Sequence, residues 1–152
     1  AIDTARKNDV VVVVSSGNDG ENIEKEAIYP AKFKLPNLIT VAASTEDDEL
    51  LESSNWGHSS VHLAAPGEDL VGPWLDSWDT NSGTSFSAAL VSGAVGLIRS
   101  INPKLSAEEV VEILKATATQ VDAQYNKTVS GGILDVAAAV NCATTKKLSC
   151  LR

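Results

Sequence analysis

The 152-residue sequence contains no methionine, only two histidines and little positive charge. Without an initiator methionine, we expect the chain to be part of a longer translation product. No apolar run reaches the roughly 20 residues that span a bilayer, and no charged leader precedes a hydrophobic stretch, so we predict no membrane partner. Lys and Arg number 12 against 20 Asp and Glu, giving a formal net charge of −8. Because phosphate binding needs clustered basic side chains, we also predict no nucleic-acid partner.

Cysteine is scarce as well, and both copies lie near the C-terminus, at Cys142 and Cys150. Their short spacing can close a small disulfide loop, which would suit an oxidising compartment. Two free thiols are the alternative. The triplet Asn126-Lys127-Thr128 is a glycosylation signal that also suits secretion, although such triplets often arise by chance.

Three apolar segments predict buried strands in a chain that is 43% hydrophobic. Val10 to Val14 is an unbroken β-branched run that ends at Ser15-Ser16-Gly17, which is typical of a strand buried on both faces of a parallel sheet. Leu38 to Ala43 repeats the pattern, and Val61 to Ala65 is a third segment closed by turn residues.

Helices are predicted between and after these strands. Thr84 to Ser100 is apolar or small on nearly every side, so we expect a central helix that is buried all round, with Gly93 and Gly96 allowing close approach of other backbone. Ser106 begins a capping box before an amphipathic helix, and Asp135 begins a last short one. Strands that alternate with helices predict an α/β fold with a mostly parallel, doubly wound sheet and helices on both faces.

A serine stands at the start of the central helix, in Gly83-Thr84-Ser85. The first-turn amides of a helix are unpaired and carry partial positive charge, so they would stabilise an anion that forms beside Ser85. Gly83 leaves room for a substrate. The alternative is that one of the hydroxyl side chains here only caps the helix.

A second polar segment, Ser15 to Gly20, follows the first strand at its carboxyl end, where open α/β sheets bind ligands. Within it, the Asn18 amide can donate two hydrogen bonds from a glycine-flanked turn, as stabilisation of an oxyanion requires. The alternative is a turn asparagine with a positive φ angle. A phosphate loop is disfavoured because neither the dinucleotide-binding spacing nor a Gly-Lys-Ser/Thr ending is present.

The two motifs, in this order and joined by Tyr29-Pro30-Ala31 and Leu63-Ala64-Ala65-Pro66-Gly67, resemble the subtilisin family. The family's Gly-Thr-Ser-Met-Ala appears as Gly-Thr-Ser-Phe-Ser at 83–87, and its Gly-Asn appears as Gly17-Asn18. The resemblance implies a subtilisin-like α/β fold that is incomplete here.

By this resemblance, the chain divides into the C-terminal half of a peptidase domain, residues 1–141, and a tail, residues 142–152. It implies a secreted serine endopeptidase that acts on proteins and peptides through an acyl-enzyme. Ser85 would attack the scissile carbonyl, while the Asn18 side chain and the Ser85 N–H hold the oxyanion. The implied substrate-binding residues are Ser15, Ser16, Gly17, Ile28, Gly83 and Thr84. Ile28, at the base of the primary pocket, would suit small or medium apolar side chains.

The family's catalytic Asp and His precede the serine in the chain. His58 and His62 do not stand in a His-Gly-Thr-His type of motif, so we expect both to be structural. The catalytic pair would then lie in a missing N-terminal half, which is the implied partner, and the isolated chain would be inactive. The chemistry needs no cofactor. The resemblance allows a structural calcium ion at carbonyls around Ala31 and Phe33, whereas the acidic run Glu46 to Glu49 is a solvated loop.

Two other functions are alternatives to the peptidase. One is a non-catalytic domain that binds peptides or partners on a truncated protease scaffold; retention of both Ser85 and Asn18 favours the enzyme. The other is an α/β-hydrolase esterase, which is excluded because Ser87 breaks the Gly-x-Ser-x-Gly elbow and no histidine follows Ser85.

Overall fold

The computed structural model describes residues 1–26, 28–144 and 149–151. The helices are α1 (Ile2–Lys7), α2 (Thr84–Ile101), α3 (Ala107–Ala116) and α4 (Val136–Thr144), with 3-10 turns at Asp122–Gln124 and Ser149–Leu151. The strands are β1 (Val12–Ser15), β2 (Leu38–Ser44), β3 (Leu63–Pro66), β4 (Leu70–Trp74), β5 (Ser77–Asn81), β6 (Thr119–Gln120) and β7 (Gly132–Ile133).

Five of the strands form one sheet in the order β1-β2-β3-β7-β6. The first four are parallel, and only β6 runs antiparallel to its neighbour β7. Strands β4 and β5 pair with each other as a separate antiparallel hairpin. Residues of α2, α3 and α4 share one apolar core cluster with β2 and β3. The predicted α/β class with a mostly parallel sheet is therefore confirmed.

The first strand differs from its prediction. It begins at Val12, its residues are half-buried, and Val10 lies outside it with 49% of its surface exposed. Strand β1 is an edge strand that pairs with β2 alone, so burial on both faces is not reached among the described residues. Strand β2 lies inside the sheet and is buried at every position, as predicted.

The central helix α2 also differs from its prediction. Its inner face carries Val91 and Ile98 into the core, but an outer stripe is open to solvent. The exposed fractions on that stripe are 44% for Leu90, 50% for Leu97 and 43% for Ile101. Gly93 and Gly96 meet no other group, within 4 Å, at the position a Cβ would take. Burial all round was therefore wrong for the described part of the chain, because only one face of the helix meets the sheet.

By length and composition alone, α2 would be able to cross a bilayer, with 18 residues and a mean hydropathy of 1.3. Core helices of soluble domains have the same composition. Its inner residues Val91, Ala94 and Ile98 pack with strands β2 and β3 and with α4. These contacts are those of a core helix.

Local signals at the later helices are confirmed. The Ser106 hydroxyl accepts a hydrogen bond from the Glu109 N–H at 3.2 Å, and the Glu109 carboxylate accepts one from the Ser106 N–H at 2.7 Å. At the start of α4, the Asp135 carboxylate accepts from the backbone of Ala138. Cys142 and Cys150 form the predicted disulfide, with their Cα atoms 5.9 Å apart. Residues 145–148 and 152 of the predicted tail lie outside the described residues.

The start of α2 is fixed to the carboxyl end of β3. The buried Ser87 hydroxyl donates to the carbonyls of Ala65 and Pro66, at 2.9 and 3.0 Å. The Gly83 N–H donates to the Gly67 carbonyl at 2.7 Å. A side chain on Gly67 would overlap Ser87, so the helix can approach the strand this closely only over a glycine.

Candidate active site

Ser85 lies in the first turn of α2, behind an N-cap glycine whose φ angle is +143°. Its side chain is exposed, and its hydroxyl has no hydrogen-bond partner among the described residues. None of the hydroxyl side chains at 82, 84 and 85 caps the helix: Ser82 bonds to Asp69, and the Thr84 hydroxyl donates to Asn18. The capping alternative is therefore not what the structure shows. The hydroxyl of Ser85 is open to a reactant at the positive end of a long helix.

The Asn18 side chain reaches the same helix end. Its Oδ1 accepts two hydrogen bonds from Thr84, one from the N–H and one from the hydroxyl, each at 2.9 Å. Because a backbone N–H can only donate, this contact fixes which end of the amide faces the helix. The Nδ2 group has no hydrogen-bond acceptor among the described residues, so both of its N–H bonds can donate to a ligand. Asn18 does not have the positive φ of a turn asparagine; Gly17 and Gly20 take those conformations.

Residues 16–21, the Asn18 loop, are held in place by Asn55, a residue that the sequence patterns did not identify. Asn55 is fully buried, and its Oδ1 accepts hydrogen bonds from the backbone N–H groups of Asp19 and Glu21, at 3.0 and 2.8 Å. Its own N–H donates to the carbonyl of Gly17 at 2.9 Å. The one signal in the sequence is its place in Ser54-Asn55-Trp56-Gly57, which resembles a family Ser-Asn-Tyr-Gly segment.

The residues predicted to line a primary pocket lie in different surroundings. Ser16 is buried and its hydroxyl donates to the Asn55 carbonyl at 2.8 Å, so its side chain supports the loop. Ser15 is half-buried at the end of β1. Ile28 packs with Ile23 and neighbours in a second apolar cluster under β2 and β3. Their contacts with a substrate stay predictions.

Neither histidine is placed to activate Ser85. His62 precedes β3, and its Nδ1 accepts from the Thr40 N–H at 2.8 Å. Burial, followed by the nearby positive charge of Lys115, lowers the pKa of His62 to about 4. Four residues of strand, about 13 Å, separate it from the strand end at Pro66, beside which α2 begins. His58 is exposed. Both positions agree with the predicted structural roles.

A calcium ion at the carbonyls around Ala31 and Phe33 stays a prediction. The Ala31 carbonyl is buried and accepts the Thr40 hydroxyl at 2.8 Å. The Lys32 ammonium donates to the carbonyls of Glu24 and Glu26, so a positive charge already occupies this loop. Among the described residues, no three acidic, His or Cys side chains form a group that would hold a metal.

Comparisons with known proteins agree with this geometry. The subtilase family model matches residues 1–135. The chain is 30% identical to Subtilisin-like protease 3 of Plasmodium falciparum, over 90% of the chain and 20% of that protein. It is 31% identical to the Extracellular basic protease of Dichelobacter nodosus, over 92% of the chain and 24% of that protein.

Solved structures give the same result. The A subunit of the AB5 toxin from E. coli superposes with a TM-score of 0.81 at 27% identity, over 94% of this chain and 53% of the toxin chain. The prenylagaramide maturation protease PagA gives 0.79 at 28% identity, over 95% and 54%. The fold and these similarities define a subtilisin-like α/β domain. The chain belongs to the subtilase family. It spans about half of these solved chains and about a fifth to a quarter of the two curated relatives.

Proposed function

We propose that residues 1–152 supply the nucleophile and the oxyanion hole of a serine endopeptidase. Ser85 is the nucleophile, and the Asn18 side chain and the Ser85 N–H stabilise the oxyanion. The observation that carries the proposal is the pair of hydrogen bonds from Thr84 to Asn18 Oδ1, since they leave the Asn18 NH₂ as a fixed donor beside Ser85.

In the proposed reaction, the Ser85 Oγ forms a bond to the scissile carbonyl carbon while its proton passes to a general base. The electron pair of the C=O bond moves to oxygen, and Asn18 Nδ2 and the Ser85 N–H donate to that oxyanion. Collapse of the intermediate breaks the C–N bond, and the base returns the proton to the leaving amine. Water then repeats the attack on the acyl-enzyme and releases the carboxylic acid.

The general base and its orienting acid come, in this proposal, from polypeptide outside residues 1–152. His62 is neutral and bonded to Thr40, and His58 has no hydrogen bond to Ser85 among the described residues. A serine hydroxyl without a base is a weak nucleophile at neutral pH. We therefore expect the isolated chain to be inactive.

The outer face of α2 is the proposed surface for that additional polypeptide. Leu90, Leu97 and Ile101 form an exposed apolar stripe next to two glycines that have open space above them. Such a stripe is unfavourable in water and lets another backbone pack closely. The matching solved chains are about twice as long as the part of them that this chain covers. An additional segment of that length would be enough polypeptide to cover the apolar stripe.

The proposed substrates are proteins and peptides, and the proposed location is extracellular. The Cys142–Cys150 disulfide supports the location because such bonds persist in oxidising compartments. One relative is itself named an extracellular protease. Small or medium apolar side chains at the primary position remain the predicted preference, set by Ile28.

The test uses the complete gene product that contains these 152 residues. A fluorophosphonate probe should label Ser85, and Ser85→Ala should abolish both labelling and hydrolysis of a peptide panel. Ser92→Ala is the matched control: Ser92 lies two turns further along α2, where its hydroxyl bonds only to the Ala88 carbonyl. Labelling or hydrolysis that survives in Ser85→Ala would contradict the proposal.

The alternative, a non-catalytic binding domain, makes a different prediction. The complete gene product would then contain neither an Asp at a strand end nor a His at a helix start upstream of residue 1. It would bind a peptide without turning it over, and the fluorophosphonate probe would not react. Retention of the exposed Ser85 hydroxyl and of the oriented Asn18 amide favours the enzyme.

A further inference from the structure

Asn55 makes several polar contacts with the Asn18 loop, and the proposed mechanism gives this residue no role. Besides the bonds to the N–H groups of Asp19 and Glu21, its Nδ2 donates to the Ser16 carbonyl and to the Asp19 carboxylate, each at 3.2 Å. Its backbone bonds to Gly17 through the N–H and to the Ser16 hydroxyl through the carbonyl. Every residue from 16 to 21 except Asn18 and Gly20 is bonded to Asn55.

The fit between Asn55 and this loop is close. Gly17 has a φ angle of +107°, and a Cβ on it would collide with the Asn55 side-chain nitrogen. The Asn55 side chain therefore occupies the space that a side chain at position 17 would need. Because Asn55 is fully buried and fills this space, it restricts the conformations open to the loop.

Asn18 itself is fixed from two sides. Thr84 orients its amide, while Asn55 fixes the backbone on either side of it, at Gly17 and Asp19. A hydrogen-bond donor stabilises an oxyanion well only if it is held in place before charge develops. The Thr84 bonds alone leave the loop free to shift, and such a shift would move the Nδ2 group.

We infer that Asn55 is a positioning residue of the oxyanion hole, acting through the backbone of the Asn18 loop. The inference rests on the proposed function, because it assumes that Asn18 stabilises an oxyanion. Loss of the Asn55 side chain should slow the chemical step more than it weakens substrate binding: the Asn18 donor matters only in the transition state, whereas binding is affected through the predicted pocket residues Ser16 and Gly17, which Asn55 also contacts.

The test compares Asn55→Ala with the wild type in the complete gene product. Displacement of a catalytic group by about 1 Å costs on the order of 100-fold, so we expect kcat to fall about 10- to 100-fold and KM to rise by a smaller factor. The same substitution in an Asn18→Ala background should have almost no further effect on kcat. Asn55→Asp keeps the accepting Oδ1 but turns the Nδ2 donor into an oxygen that faces the Ser16 carbonyl and the Asp19 carboxylate, so it should lower kcat at least as much as Asn55→Ala.

Asn37→Ala is the matched control. Asn37 is also a fully buried asparagine, and its Nδ2 donates to the Val10 carbonyl at 2.9 Å, just before β1 and at the opposite end of that strand. This variant should lower stability without changing kcat. If Asn55→Ala lowers kcat as much with Asn18 absent as with it present, or changes only KM, the inference is overturned.

Amide hydrogen exchange provides a readout that does not depend on activity. The N–H groups of Asp19 and Glu21 should exchange faster in Asn55→Ala and at the wild-type rate in Asn37→Ala. Absence of Ser85-dependent hydrolysis in the wild type would refute the proposed function alone. Unchanged exchange at Asp19 and Glu21 would refute the positioning role of Asn55, whatever the activity.

Discussion

Acid should destabilise this fold in part through the side chain of His62. Its Nδ1 accepts a hydrogen bond from the Thr40 N–H in the buried strand β2, and a protonated ring cannot accept it. Burial and, after it, the positive charge of Lys115 lower the pKa of His62 from 6.5 to about 4, against the opposing effect of Glu112. The folded state therefore prefers the neutral ring.

The sign and size of the effect follow from that difference. Between pH 6.5 and 4, His62 binds a proton in the unfolded chain but stays neutral in the folded chain. The stabilising contribution of His62 is thus complete above pH 6.5, decreases as the pH falls towards 4, and is lost below it. A difference of 2.5 pKa units corresponds to about 3 kcal/mol at 1.36 kcal/mol per unit.

His62→Asn isolates this contribution, because the asparagine Oδ1 can accept the Thr40 N–H without titrating. Urea unfolding of the complete gene product at pH 7 and pH 4 measures the free energy of unfolding for both proteins. The wild type should lose about 3 kcal/mol more than the variant, while the carboxylates common to both cancel. Parallel losses in the two proteins would refute the reasoning.

Three further outcomes are expected. Gly83→Ala should lower kcat and cost about 1–3 kcal/mol in urea unfolding, because residue 83 has a φ angle of +143° that alanine rarely adopts. Replacing Cys142 and Cys150 with serine should cost about 2.5 kcal/mol, from loop entropy for a separation of 8 residues. Ser106→Ala should cost about 1 kcal/mol by removing the cap of α3, with kcat unchanged. Unfolding midpoints equal to the wild type would contradict each.

Sequence patterns predicted best what depends on neighbours in the chain. The capping box at Ser106, the cap at Asp135 and the wholly buried strand β2 are each decided within a few residues. Burial of β1 and α2 was predicted less well. An apolar pattern predicts that a strand or helix face is buried. It does not show whether the residues that bury it belong to these 152 residues or to other polypeptide.

The β4–β5 hairpin gave no usable signal. Its first strand contains Gly72 and Pro73, two residues that are depleted in strands, and its turn contains Leu75 at a φ angle of +50°. Asn55 was missed for a different reason. Its bonds reach Ser16 and Asp19 across 39 and 36 residues, and no local periodicity reports a contact over that distance.

Two adjacent backbone N–H groups at the start of α2, those of Thr84 and Ser85, have different roles in the proposed oxyanion hole. Helix geometry leaves the first N–H groups without partners. The Thr84 N–H uses this freedom to hold Asn18 at 2.9 Å, while the Ser85 N–H has no acceptor among the described residues. One amide thus orients a donor, and the next is a donor itself, so both proposed oxyanion contacts originate from a single helix end. Any change that moves the first turn, at Gly83 or at Ser87 beneath it, should therefore weaken both contacts together.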